Sequence, residues 1–315
     1  MAIDMHCHLF VEEFRNESFV SPTWEPGQHT SSKPEEKSTD INEIVSRSSW
    51  DSLDPDGSGH IKRMYEAGIE KAVLLHIDMG VLFGEAELPI EEQNRYVSEV
   101  VKKHPGRFAW FCGVDPRRKE AAQIFEQCVN EWGAQGLKLY PTTGFLPADK
   151  ECYPLYERAT AWKIPVYFHM GPESPPYKNE GNPHPSVLLR VLVDFPELTV
   201  IVAHFSFEFW RDLIALGKVR DNVMSDFCAW QRIARQNYSQ FRYILRKFLD
   251  EFGTERVMFG TDAPLLEEVL SSKEWVQMIK ELPQKSSQGQ RFTEEEISAI
   301  LDGNARRLLA SIPQR

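Results

Sequence analysis

No stretch of the 315-residue chain approaches the ~18–20 uninterrupted apolar residues of a membrane-spanning helix. The apolar runs are short, as in KAVLLHI and LTVIVAHF. The first residues lack the basic segment and apolar stretch of a secretory signal, so a cytoplasmic protein is expected. The five cysteines (Cys7, Cys112, Cys128, Cys152 and Cys228) are odd in number, scattered and free of any CxxC pair. That argues against a disulfide framework or a thiolate zinc site, and for a reducing compartment. No basic stripe is present, and the net charge of −11 is spread over interspersed acids and bases. Nucleic acid is therefore not an expected partner. Anionic small molecules stay open as substrates, because a local lysine or arginine reverses the field inside a pocket. Also missing is a glycine-rich phosphate turn after the first strand, where HCHLFVEEF stands. Its absence counts against a doubly wound dinucleotide fold.

What is present is alternation. Strand-like runs (AIDMHCH, EKAVLLHI, RFAWFCGV, AQGLKLY, IPVYFHM, LTVIVAHF, NVMSDFC and RVMFGTD) are separated by amphipathic helical patterns such as IEEQNRYVSEVVKKH and PLYERATAWK. Helix-stop chemistry at Gly68, His104–Pro105 and Pro196 punctuates them. Eight such units predict an α/β fold, a (β/α)8 TIM barrel formed by residues 1–315 as a single domain. One region departs from the pattern. Residues 11–59 are rich in Ser, Pro, Glu and Asn, with Trp24 and Trp50, and read as an insertion after strand 1. A connection of that length leaving the catalytic rim is expected to be a lid. Within it, DPDGSG (Asp54 to Gly59) imitates the opening of a calcium loop. Its twelfth position is Tyr65 where a bidentate Glu is required, so it reads as a turn into a helix near His60.

The chemistry gathers at strand ends. In DMHCHLF, His6 and His8 stand two apart, and strand alternation points both the same way while Cys7 goes to the opposite, buried face. His169 ends strand 5, His204 ends strand 6 and Asp262 ends strand 8. In a parallel barrel these ends converge on one rim. A lone strand-end histidine is more often a hydrogen-bonded core residue; the joint arrangement is what points to a metal. Three imidazoles and a carboxylate suit one divalent ion, Zn²⁺ first and Mn²⁺ second, with an open position for water.

With the further segments HIKRMYEAGIEKAVLL, GLKLYP, PLYERATAWKIPVYFHMG, VIVAHFS, MFGTDAP and ILDGNARRLL, the chain resembles the amidohydrolase superfamily. The match is to its amidohydrolase-2 branch, which contains aminocarboxymuconate-semialdehyde decarboxylase and related hydrolases and hydratases. The resemblance spans nearly everything except Val11–Gly59. It implies that His6, His8, His169 and Asp262 are metal ligands. It also implies that His204 holds or deprotonates the metal's water or polarises the substrate, with Asp262 sharing the proton work. Lys138 stays open between binding a substrate carboxylate, a structural salt bridge and a carbamate bridging two metals. Tyr140, on the same face, is expected to line the pocket. His76, in LLHID, could reach the mouth but receives no ligand role. Asp226 is read as structural, and Arg117 and Arg232 lie near the ends of strands 3 and 7.

The leading reading is a metal-dependent hydrolase cleaving an amide, lactone or ester of a small, carboxylated substrate. The alternatives are a non-oxidative decarboxylase or hydratase of an unsaturated or aromatic carboxylic acid, and a catalytically silent metal-binding barrel. The expected partners are a small-molecule substrate and other copies of the chain, as a homodimer or higher homo-oligomer, with no membrane.

Overall fold

The computed structural model describes residues 1–16, 53–171, 184–285 and 290–313. Eight parallel strands follow one another in chain order around a single sheet. They are β1 (Ala2–Cys7), β2 (Ile69–Leu75), β3 (Phe108–Gly113), β4 (Leu137–Leu139), β5 (Val166–Phe168), β6 (Val200–Val202), β7 (Val223–Asp226) and β8 (Val257–Met258). The ends of the sheet meet. Met5 N donates to Phe259 O at 2.9 Å, Asp262 N to His6 O at 2.8 Å and His8 N to Ala263 O at 2.8 Å, closing the TIM barrel between β1 and the segment after β8.

Strand alternation sorts the side chains into two apolar layers. Ile3, Met5, Val73, Leu75, Phe111 and Tyr167 belong to the smaller cluster, which fills the barrel interior. The larger cluster joins the outer strand faces to the apolar stripes of the helices, among them Ile90, Val97 and Val100 of the helix Ile90–Lys103. Layered side chains make such a barrel a packed core and leave only its rim for chemistry. Gly136 illustrates how tight the interior is, since a Cβ there would lie 2.3 Å from the Phe111 ring.

β1 carries one irregularity that matters. Asp4 pairs with Ala72 but Cys7 pairs with Leu74, so β1 spends one more residue than β2 over that interval. A bulge of this kind bends the strand and re-aims its side chains, and it sits at the His6–His8 segment. Cys7 is fully buried, with its thiol donating to Val73 O, and all five cysteines are buried and free.

The DPDGSG turn caps a helix. Asp54 accepts hydrogen bonds from Gly59 N at 3.0 Å and His60 N at 2.7 Å, at the start of the helix Ser58–Ala67. That helix ends at Gly68, whose φ of 71° is the left-handed closure glycine supplies cheaply. Residues 17–52 of the insertion read as a lid lie outside the described residues; its described margins include a 3₁₀ turn at Glu12–Phe14. Among the described residues, no helix is long and apolar enough to cross a membrane.

Candidate metal centre

The rim brings His6, His8 and Asp262 together. His6 Nε2 and His8 Nε2 lie 3.1 Å apart, and Asp262 Oδ1 is 3.2 Å from the second and 3.7 Å from the first. Donors held ~2.0–2.1 Å from a tetrahedral ion are separated by roughly 3.4 Å, so this triangle has the edges of a coordination face. All three residues are buried.

The decisive point is where the protons are. His8 Nδ1 lies 2.8 Å from the carbonyl of Leu75, an acceptor only, so Nδ1 carries a proton and Nε2 is the atom turned to the triangle. His6 Nδ1 lies 3.0 Å from Asp226 Oδ2. Burial alone would raise the Asp226 carboxyl, but His6 and its hydrogen bond hold it well below the usual range, so it is an anion. His6 therefore also donates from Nδ1 and turns a lone pair inward. Burial, reinforced by the Lys138 charge, lowers its pKa to about 4, which keeps the ring neutral at pH 7. Two imidazole Nε2 atoms and a carboxylate oxygen thus face one another. One proton satisfies one edge of that triangle; a divalent cation satisfies all three, and the residues present fit one.

Asp262 is held there by backbone that a non-glycine residue adopts rarely, with φ 58°. The segment before it is tied to β1, because Asp4 accepts Thr261 N and His6 N, each at 3.0 Å.

His204 borders the triangle, its ring centroid 4.8 Å from those of both His6 and His169. Its Nε2 is 3.2 Å from His169 Nδ1, and its Nδ1 is 3.0 Å from Cys228 Sγ and 3.3 Å from Cys228 O. It is clamped on several sides: its N–H reaches Asp226 Oδ1 at 3.0 Å, its carbonyl accepts Trp230 Nε1 at 2.6 Å, and Phe207 stacks on its ring at 4.7 Å. His204 to Phe207 all have positive φ, so the chain turns left-handed here before the helix Trp210–Val219 begins. Such outliers, seen at a rim full of polar groups, mark backbone strain that the surrounding contacts hold in place. Gly171 makes room for the stacked ring, since a Cβ there would come 2.4 Å from Phe207.

The amidohydrolase (Amidohydro_2) family profile matches residues 3–310. This chain belongs to the amidohydrolase family. No curated protein matches it. Among solved structures it is similar to an uncharacterised TIM-barrel protein of Bordetella bronchiseptica, 23% identical, with 98% of each chain covered and a TM-score of 0.67. A dihydroxybenzoic acid decarboxylase of a Polaromonas species, bound to manganese and the inhibitor 2-nitroresorcinol, is 17% identical over 98% of this chain and 96% of that one, with a TM-score of 0.65. A probable 2-pyrone-4,6-dicarboxylic acid hydrolase of Acinetobacter baumannii, with citric acid bound, is 14% identical over 98% and 99% of the two chains, also at 0.65. These likenesses are likenesses of fold.

The remaining residues of the amidohydrolase rim fall out as follows. His169 meets the triangle through His204, and Tyr140 lies against it with ring centroids 4.2 Å apart. Lys138, in β4, is 2% exposed, with Nζ 5.0 Å from the Tyr167 ring centroid and 5.8 Å from that of Tyr140. His76 is turned toward the helix Ile90–Lys103, its Nε2 3.1 Å from Gln93 Oε1, and stands outside the donor groups at the rim. Arg117 is committed elsewhere: it grips Asp115 and donates to Thr143 O at 3.0 Å and Gly144 O at 3.2 Å. Arg232 is the second residue of the helix Gln231–Gln236, and its buried Nε has no hydrogen-bond partner among the described residues. Asp226, read as structural from the sequence, has its carboxylate within 4.8 Å of donor atoms of His6, His204 and Cys228. It ends β7 just as His169 and Asp262 follow their strands, and that was the available signal.

The buried imidazoles set an acid limit. His6 and His76 are lowered by burial to about 4, and His60 and His204 are lowered as well, from an ordinary 6.5. Between pH 6.5 and 4 the unfolded chain takes up protons on these rings that the folded chain does not, so stability rises with pH there. Asp4 runs the other way, because burial raises it from 3.8 to about 7 and its contribution is lost as pH rises through that value. Several imidazoles outweigh one carboxyl. The thermal midpoint of the chelator-treated protein is expected to fall on acidification from pH 6.5 toward 4; a midpoint that rises would contradict this.

Proposed function

We propose that this amidohydrolase is a metal-dependent hydrolase of a small carboxylated substrate, with one divalent ion, Zn²⁺ first and Mn²⁺ second, held by His6, His8, His169 and Asp262. The observation that carries the reading is the His6 Nε2, His8 Nε2 and Asp262 Oδ1 group with the His204 imidazole beside it. When bound, a divalent ion supplies Lewis acidity and lowers the pKa of its water toward ~7. The protein's own groups do the rest.

His204 Nδ1 lies 3.0 Å from Cys228 Sγ and 3.3 Å from Cys228 O, and its Nε2, 3.2 Å from His169 Nδ1, is the atom turned toward the rim. Burial and the neighbouring imidazoles His169 and His6 lower its pKa well below 6.5, so the ring is neutral and ready to accept a proton. It takes the proton of the attacking water at Nε2 and returns it to the leaving group. Asp262, oriented by its left-handed backbone, shares that proton through its second oxygen. Lys138 Nζ lies against the faces of Tyr140 and Tyr167, which attract a cation, and as an ammonium it would draw the substrate carboxylate into the mouth.

Decarboxylation is the second reading, favoured by the Polaromonas neighbour and by the same buried ammonium. The two readings separate in one assay. Metal-loaded protein is offered lactones and aromatic carboxylates while acid and carbon dioxide are followed together. Acid release without carbon dioxide is expected; carbon dioxide in step with substrate loss would install the second reading.

A further inference from the structure

Asp226 is a junction of four strand ends. It is fully buried at the end of β7 and accepts hydrogen bonds from His6 Nδ1 at 3.0 Å, His204 N at 3.0 Å, Cys228 N at 2.9 Å and the Tyr167 hydroxyl. Those donors come from β1, from the segment after β6, from the segment after β7 and from β5. Oδ1 takes the two backbone N–H groups, and Oδ2 takes His6 and Tyr167. The division is informative. One oxygen fixes the left-handed turn that presents His204, and the other fixes the proton of His6.

An imidazole has one proton to place. Facing a carboxylate, Nδ1 must donate, and Nε2 is left with the lone pair a metal requires; facing an amide N–H, Nδ1 must accept, and the proton moves to Nε2. The oxygen of a carboxylate set behind a ligating imidazole also makes that ligand more basic. Its two oxygens thus serve the two imidazoles assigned different tasks, one by tautomer and one by backbone position.

We propose that Asp226 is a positioning residue of the metal centre, holding His6 in the Nδ1–H tautomer and His204 at the metal edge. The proposal rests on the metal reading given above, and its test separates the two. In metal-free protein with isotope-labelled histidine nitrogens, magnetic resonance reports which nitrogen of His6 bears the proton. The wild type shows it on Nδ1. In Asp226→Asn the amide oxygen still serves the two backbone donors, while its N–H group faces His6 and moves that proton to Nε2. The zinc dissociation constant then rises by roughly 10–100-fold, while the thermal midpoint of the metal-free protein moves little. Tyr167→Phe removes another donor to the same carboxylate and leaves the His6 pairing alone; tautomer and zinc affinity are unchanged. A purely structural role predicts similar losses from both variants.

The proposal is overturned if Asp226→Asn keeps His6 protonated on Nδ1, or binds zinc within about threefold of wild type. Should that variant fail to fold, the wild-type spectrum decides alone, since a proton on Nε2 of His6 overturns it equally. Failure of the metal reading looks different: wild-type protein that takes up no divalent ion whichever nitrogen is protonated.

Discussion

Asp262→Asn is expected to cost roughly 10³-fold in kcat/KM, equivalent to about 4 kcal/mol of transition-state stabilisation, together with the bound divalent ion. The same substitution is expected to lower the thermal midpoint of the metal-free protein at neutral pH. Both outcomes follow from one geometry. Asp262 Oδ1 lies 3.2 Å from His8 Nε2 and 3.7 Å from His6 Nε2; burial alone would raise its carboxyl, but the hydrogen bond from His8 and the neighbouring imidazoles hold it well below the usual range. An amide in its place keeps the size and gives up that charge-assisted pairing, at a cost of about 1.5–3 kcal/mol. Asparagine tolerates the left-handed φ of 58° at this position, so the backbone is not what changes. Melting curves recorded with a chelator, alongside metal analysis and kinetics, check both halves. A metal-free variant more stable than wild type would show instead that the carboxylate is repelled by its neighbours.

His204→Asn is expected to lower kcat by 10²–10⁴-fold, on the scale of a lost general acid–base group, while leaving metal content near the wild-type level. Asparagine is the informative replacement, because His204 has φ 59° and a β-branched or bulky residue would break the turn as well as the chemistry. The imidazole lies beside the His6–His8–Asp262 group without belonging to it. Kinetics paired with metal analysis distinguish the two roles: loss of the ion together with the rate would make His204 a ligand rather than a base.

Periodicity was enough for the barrel, because buried parallel strands read as short β-branched runs whatever their neighbours are. His6, His8 and Asp262 were legible for a related reason, since a rim position follows directly from the end of a strand. Asp226 obeys the same rule, but the sequence does not reveal what it faces: partners 220 and 22 residues away at His6 and His204. The left-handed run from His204 to Phe207 was hidden more deeply. Its residues have no turn-forming composition, and HFSFEFW looks like the opening of an apolar helix; tertiary contacts to Asp226, Trp230 and Gly171 impose the conformation. The bulge in β1 is equally silent, being a mismatch between two strands rather than a property of one. His76, given no ligand role from the sequence, pairs with Gln93 Oε1 at 3.1 Å, a partner the strand pattern does not name.

Diffraction from crystals of zinc-loaded protein, recorded on either side of the zinc absorption edge, tests the central claim most directly. The predicted result is one anomalous peak about 2.0–2.2 Å from His6 Nε2, His8 Nε2 and Asp262 Oδ1, with His169 as the remaining protein ligand. A map with no peak among those three atoms, or with the zinc bound at surface carboxylates instead, would contradict it.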